Sequence, residues 1–418
     1  MRLPPMVISH TEEVLREILR FTGPADVTLS RYFREHPKLG SRERGMVAEA
    51  VYGLLRNKTV YSNFAESGVG SAMRRLALLG LADAAGVDAL GGLSEEEHAW
   101  LTRVMQFDRA GLPAAMRANL PPWLHDKLVG SYGEAEALEL AAALNQGAPL
   151  DLRVNLMKSN REAVMTELAA APIECVATPY AATGIRLHKK PALQNLPLFK
   201  DGAIEVQDEG SQLLAQIVGA KRGEMIVDFC AGAGGKTLAL GAIMKNTGRL
   251  YAFDVAEKRL AKLKPRLARS GLSNVHPVLI AHENDAKVKR LAGKVDRVLV
   301  DAPCSGLGTL RRNPDVKWRQ SPQGLLELNA KQISILTGAA RLVKPGGRLV
   351  YATCSLLDEE NEAIAAQFLA AHESFALVPM SQVLAEQKIA LDMQDYLKLY
   401  PHRHQTDGFF AAVLERKP

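Results

Sequence analysis

Four cysteines in 418 residues, at 175, 230, 304 and 354, are too few and too dispersed for a disulfide framework. There is no C-x-x-C pair, so a thiolate zinc site is not expected, nor any other metal centre. The opening MRLPPMVISH lacks the apolar centre of a signal peptide, and no apolar run is long enough to span a bilayer. The expectation is a cytoplasmic chain with no membrane partner. One ordinary core does not accommodate this length, so two or three domains are expected.

What is present is a globular composition, 47% apolar and 23% charged, with a net charge of +6 that is unevenly placed. Residues 1–150 hold 16 Lys and Arg against 18 Asp and Glu, whereas residues 151–418 hold 36 against 28. A polyanionic partner would therefore be drawn mainly to the second part, although an excess of this size also serves solubility.

Residues 1–146 read as helices. Ser9 with Glu12 and Ser94 with Glu97 fit capping boxes, and Met46, Val47, Ala50, Val51, Leu54 and Leu55 recur at helical spacing after Ser41. Residues 147–209 change style, with short strands near 152–156, 173–177, 185–187 and 203–206 around one helix, a small α+β module. From 210 to 418 strands and helices alternate: strands at 225–229, 249–253, 275–280, 295–301, 347–353 and 408–414 are separated by helical patterns. This implies an α/β domain with a parallel-rich, Rossmann-like sheet wrapped by helices.

Within that domain, DRVLVDAPCSGLGTLRRNPDVKW (296–318) carries the clearest chemistry. Its apolar β-branched run delivers Asp301 to the carboxyl edge of the sheet, where such folds bind ligands. Cys304 follows on a glycine turn beside a basic segment. A buried structural thiol is the ordinary alternative. Cys354, 50 residues on, stands in the same relation to the end of its own strand.

Between the strand at 225–229 and the next helix lies CAGAGGKT. Its glycines let a ligand approach the backbone, and the helix amino end favours negative groups. Three ligands compete for such a loop. A nicotinamide cofactor asks for a final glycine where Thr237 stands. An ATP P-loop is matched at Gly235, Lys236 and Thr237, with VLVD at 298–301 as a possible magnesium strand, but its first glycine is replaced by Cys230. S-adenosylmethionine asks for close backbone and an acid at the end of the following strand, which Asp254 supplies.

FCAGAGGKT, DVAEKRL, LVDAPCSGLGTLRRNPDVKW and YATCSLLDEENE, in this order, resemble the motifs of the Sun/Nop family of RNA cytosine-5 methyltransferases. VQDEGSQLLA and PHRHQTDGFFAAVLER are similar to the borders of that family's domain. LGSRERGMVAEAVYGLLRN resembles the NusB-like helical domain carried by bacterial 16S rRNA methyltransferases of this kind. One departure is Gly232, Ala233, Gly234, Gly235 where the family usually shows Ala-Pro-Gly-Gly.

The resemblance implies S-adenosylmethionine as cofactor and RNA as partner, with 16S rRNA expected and tRNA as the alternative. Carbon 5 of cytosine is a poor nucleophile until a thiolate has added to carbon 6. The resemblance makes Cys354 the attacking thiol and Cys304 the residue that assists its release. Asp301 is expected beside the ring and the methyl donor. Cys230, Ala231, Gly232, Ala233, Gly234, Gly235 and Lys236 are expected at the methionine end of the cofactor, Asp254 at its ribose, Asp285 at its adenine side, and Arg259 also near it. For Asp285, a helix cap is the competing reading. Cys175 is expected to be packing. Arg311, Arg312 and Lys317 are expected to contact RNA phosphates beside a cytosine flipped from its stack, the competing reading being a solvated loop. Two other classes remain: an ATP-dependent enzyme using the imperfect P-loop, and a noncatalytic RNA-binding factor, which would not require paired thiols.

Overall fold

The computed structural model describes residues 2–418. They divide into two compact units: residues 2–147 together with Thr309–Pro322, and Ala148–Gly308 together with Gln323–Pro418.

The first unit is helical. Its core gathers Val7, Val14, Val47, Val51, Leu54, Leu55, Leu78, Leu79 and Leu101, all buried. The Ser94–Glu97 capping box is formed as expected. The one at Ser9 is not, because the helix begins earlier, at Met6. Val7 N and Ile8 N donate to the carbonyls of Pro4 and Pro5, so a proline-set first turn starts the helix and leaves Ser9 inside it. Two helices lacked a clear sequence signal, Ala25–Glu35 and Ala72–Ala85. The second has six consecutive buried residues at 77–82, which erases the periodicity by which a half-exposed helix is read.

The segment 309–322, expected to be a loop of the α/β domain, packs with these helices instead. Trp318 Nε1 donates to Leu55 O at 2.9 Å, and Asp315 Oδ2 accepts from Ala25 N and from Arg319 Nε.

The second unit contains two sheets. Strands β1 (Leu150–Val154), β2 (Cys175–Ala177), β3 (Gly184–Leu187) and β4 (Ile204–Val206) form an antiparallel sheet in the order β2-β3-β1-β4. The larger sheet uses β5 (Met225–Asp228), β6 (Arg249–Asp254), β7 (Val275–Leu279), β8 (Val295–Asp301), β9 (Val343–Thr353), β10 (Phe375–Val378), β11 (Leu397–Leu399) and β12 (Phe409–Arg416). Its order is β10-β12-β9-β8-β5-β6-β7, with β11 paired to β12. The five strands from β7 to β9 run parallel, and β12 is antiparallel between β9 and β10.

This order explains the apolar strand runs, because both faces of the sheet are covered. Leu250, Ala252, Leu299 and Val350 pack on one face, and Val227, Val298, Val300 and Tyr351 on the other. The chain starts at β5 in the middle, proceeds outward to β7, then returns to β8 on the other side of β5. That reversal opens a crevice at the carboxyl ends of β5 and β8.

Candidate active site

Three of the parallel strands end in acids at this edge: Asp228 on β5, Asp254 on β6 and Asp301 on β8. The glycine loop follows β5. Gly232 N donates to Asp254 Oδ2 at 2.8 Å and Ala256 N to Oδ1 at 2.7 Å, so the loop and the second acid are fixed together. Gly234 has φ +81°, and a Cβ there would lie 2.1 Å from Leu263 Cδ1, so only glycine fits. It is the N-cap of the helix Gly235–Ile243, whose first backbone N–H groups have no intrahelical partner. Backbone donors with an acid on the next strand suit the carboxylate and ribose ends of S-adenosylmethionine, and the residues present fit that ligand.

The small sheet braces the same loop. Arg153 on β1 donates to Gly235 O at 2.9 Å, and Arg266 to Ala233 O at 2.7 Å. Glu205 on β4 pairs with Arg266 and Arg269. Sequence reading passed over these residues, since single charges on a strand or a helix read as surface. Asp228 was also missed, although it ends its strand as Asp254 and Asp301 do. It is buried and accepts from Thr237 Oγ1 at 2.6 Å. Burial pushes its carboxyl up to about 7 against that hydrogen bond, with the Asp301 charge adding to the rise.

Beside the loop, Lys236 Nζ lies 2.8 Å from Asp301 Oδ2 and 5.8 Å from the centre of the Phe409 ring. Burial alone pulls the Lys236 ammonium down, but the Asp301 carboxylate outweighs it, and the group is held above its ordinary value.

The two thiols meet here. Asp301 pairs with Ala352 across β8 and β9, so the turns after the two strands leave the sheet side by side. Cys304 Sγ and Cys354 Sγ are 3.3 Å apart, and Cys354 N donates to Cys304 Sγ at the same distance. The hydrogen bond with Cys354 pushes the Cys304 thiol well above its ordinary value, and burial and the Glu360 carboxylate add to this. Gly308 lets the next turn pass: a Cβ there would lie 2.1 Å from Gly408 O.

Cys230 packs partly buried under the sheet and Cys175 under the small module, and burial is the first cause raising each thiol. Asp285 is the N-cap of a short helix, accepting from Lys287 N and Ala281 N, which is the capping alternative. Arg259 is exposed on the first turn of the helix Glu257–Ser270.

The expectation that Lys317 contacts phosphate is corrected. It is fully buried in the first unit, donating to Arg56 O at 3.0 Å and Asn145 Oδ1 at 2.6 Å. Arg311 is also buried, at 7% exposure, and Arg312 is partly exposed. Basic residues there looked solvated because the sequence does not show that Trp318 packs the segment against a helical core. His10, Glu13 and His36, also in the first unit, place ligand atoms within 4.8 Å of one another, the one group able to hold a metal among the described residues. The sequence spacing concealed it, because His36 comes from beyond the neighbouring helix. No helix among the described residues is long and apolar enough to cross a membrane.

Comparison with known proteins agrees with this geometry. Residues 215–415 match the family described as 16S rRNA methyltransferase RsmB/F, and residues 120–194 match the RsmF/B-like ferredoxin-like domain. A probable ribosomal RNA small subunit methyltransferase B from Synechocystis sp. is 33% identical, over 96% of this chain and 98% of its own. Ribosomal RNA small subunit methyltransferase B from Sodalis glossinidius is 35% identical over 70% of this chain and 65% of its own. The solved structure of PH0851 superposes with a TM-score of 0.81 at 27% identity, covering all of both chains. A glycine loop fitted to S-adenosylmethionine and a full-length relative at this identity lead to one conclusion: the chain belongs to the RsmB/F family of rRNA small subunit methyltransferases, enzymes that methylate RNA with S-adenosylmethionine.

Proposed function

We propose that this enzyme methylates carbon 5 of a cytosine in 16S rRNA through a covalent bond between Cys354 and carbon 6 of the ring. The observation that carries the reading is the 3.3 Å approach of two thiols at the ligand edge of the sheet. Methyl transfer to a nucleophilic nitrogen or oxygen needs no such pair, whereas carbon 5 needs one sulfur to activate it and a base to finish.

The Cys354 thiolate adds to carbon 6, and the displaced electrons make carbon 5 nucleophilic while the Lys236 ammonium, held by Asp301, meets the negative charge on the ring. S-adenosylmethionine supplies the methyl group. Carbon 5 then carries both methyl and hydrogen. Cys304, as its thiolate, takes that proton, the C5–H electrons re-form the double bond, and Cys354 leaves as thiolate.

The largest cause raising Cys304 is its hydrogen bond with Cys354. Once Cys354 is bonded to the ring that contribution is gone, so Cys304 gives up its proton more readily and more of it is the thiolate that the next step needs. In this reading Asp254 holds the ribose, Gly232 to Lys236 the methionine end, and Asp285 and Arg259 line the adenine side. Arg312 meets a phosphate, and the target cytosine is unstacked.

Cys354→Ala is expected to abolish methylation, and Cys304→Ala to accumulate an RNA adduct that survives denaturing electrophoresis. The reverse pattern would exchange their roles; methylation by Cys354→Ala at the normal rate would overturn the reading. Bisulfite sequencing of RNA from cells with and without this chain identifies the nucleotide.

A further inference from the structure

Glu360 follows β9 in the turn Asp358–Glu360 and is fully buried in the second unit. Its Oε1 accepts from Ser305 N at 2.7 Å and from Gln332 Nε2 at 3.0 Å. Its Oε2 accepts from Ser305 Oγ at 2.5 Å and from the Ser355 hydroxyl. Ser305 and Ser355 directly follow the two cysteines, and their hydroxyls are 3.2 Å apart. A single carboxylate therefore grips the residue after each thiol.

The grip is anchored from three further sides. Gln332 Nε2 also donates to Pro303 O at 3.1 Å, on the residue before Cys304. Tyr351 Oη, on β9, donates to Glu360 O at 2.6 Å. Asn361 donates to Ser355 O at 3.2 Å and accepts from Thr353 Oγ1 at 2.6 Å.

We propose that Glu360 is a positioning residue, locking the turns that carry Cys304 and Cys354 into one register and so fixing the separation of the two sulfurs. A buried carboxylate is costly, and an apolar side chain of similar volume would fill the same space without that cost. What an apolar residue could not do is accept four donors from three elements at once. A two-thiol reaction needs that arrangement, because a nucleophile and a base displaced by 1 Å lose much of their rate. The same charge also bears on Cys304, where it is one of the influences keeping the proton on that sulfur.

The proposal rests on the two-thiol reading, and its test uses a readout independent of RNA. The full-length chain is alkylated with iodoacetamide over a pH series, with Cys304 and Cys354 followed separately by mass spectrometry, and kcat and KM are measured on RNA in parallel. Glu360→Gln retains one acceptor oxygen and lets the serine hydroxyls turn to accept from its amide. It should keep kcat within a few-fold while shifting Cys304 alkylation to lower pH. Glu360→Ala should lower kcat about 100-fold with KM for S-adenosylmethionine unchanged.

Should Glu360→Ala fail to fold, the double variant Ser305→Ala with Ser355→Ala keeps the acid, removes both hydroxyl donors and should lower kcat about tenfold. Undiminished kcat in Glu360→Ala, or in the serine pair, overturns the proposal. So does a Cys304 alkylation profile in Glu360→Gln that superposes on that of the parent. Methylation by Cys354→Ala would instead sink the cytosine mechanism and leave the alkylation result standing.

Discussion

Each unit buries a lysine, and the two are treated in opposite ways. Lys236, in the second unit, has an acid at 2.8 Å, and its ammonium is held above the ordinary value despite burial. Lys317, in the first, has neutral partners: a carbonyl, an amide oxygen and the Trp318 ring. Burial, and then the charges of Arg56 and Lys58, push it well below. The first lysine is a paired charge kept at a ligand edge; the second ties a returning segment into a helical core. Burial of a cation therefore does not mark function; a carboxylate aimed at it beside a crevice does.

The largest test of this contrast is Lys236→Met. It should lower single-turnover methylation by about 100-fold or more, the loss typical when a preorganised charged group is removed, while Lys317→Met leaves the rate per folded molecule unchanged. Equal losses in the two variants would break the distinction.

Stability should rank them the other way for truncation in the first unit. Lys317→Ala leaves Asn145 Oδ1 without its donor and opens a cavity, and it should destabilise that unit by about 3 kcal/mol in urea unfolding.

The two lysines also predict opposite pH trends. Lys317 has a lower folded than unfolded pKa, so the unfolded chain binds more protons between the two values, and stability rises with pH through that window. Lys236 is raised on folding, so its contribution is present below the unfolded value and is lost as pH passes the folded one. Measured against Lys317→Met, the parent should therefore gain relative stability from neutral pH toward pH 10. A flat difference would show that the burial of Lys317 does not perturb it.

The smallest effect concerns RNA. Arg312→Ala should reduce the salt dependence of RNA binding by about 0.7–0.9 in log–log slope, one phosphate contact, and Lys317→Met should leave it unchanged. A slope change in Lys317→Met would mean that the buried ammonium becomes exposed on binding.

Much of the second unit was legible because its signals are local. Strand runs such as Val298–Val300 are apolar on both faces, and acids at strand ends mark the carboxyl edge whatever the strand order. The thiols could be paired by analogy of position, since each follows its strand in the same way. Cys230 also follows a strand, yet it packs partly buried against the core cluster that holds Val298 and Tyr351. Ser9 shows the opposite failing, where a short motif fits two structures and the neighbouring backbone chooses. Glu360 lay in plain view within YATCSLLDEENE, but an acid among acids reads as surface until its four donors are seen.

The residue pattern alone decided that there would be a helical front, a small α+β module, a parallel-rich sheet and a glycine loop with an acid on the next strand, because each depends on periodicities and turn residues within a few positions. Only the tertiary structure decided which charges would be buried, that the segment 309–322 would pack with the helices, and that one carboxylate would hold both sulfur turns. Those outcomes join residues tens to hundreds of positions apart, and burial and hydrogen bonding between them are set by the packed chain as a whole.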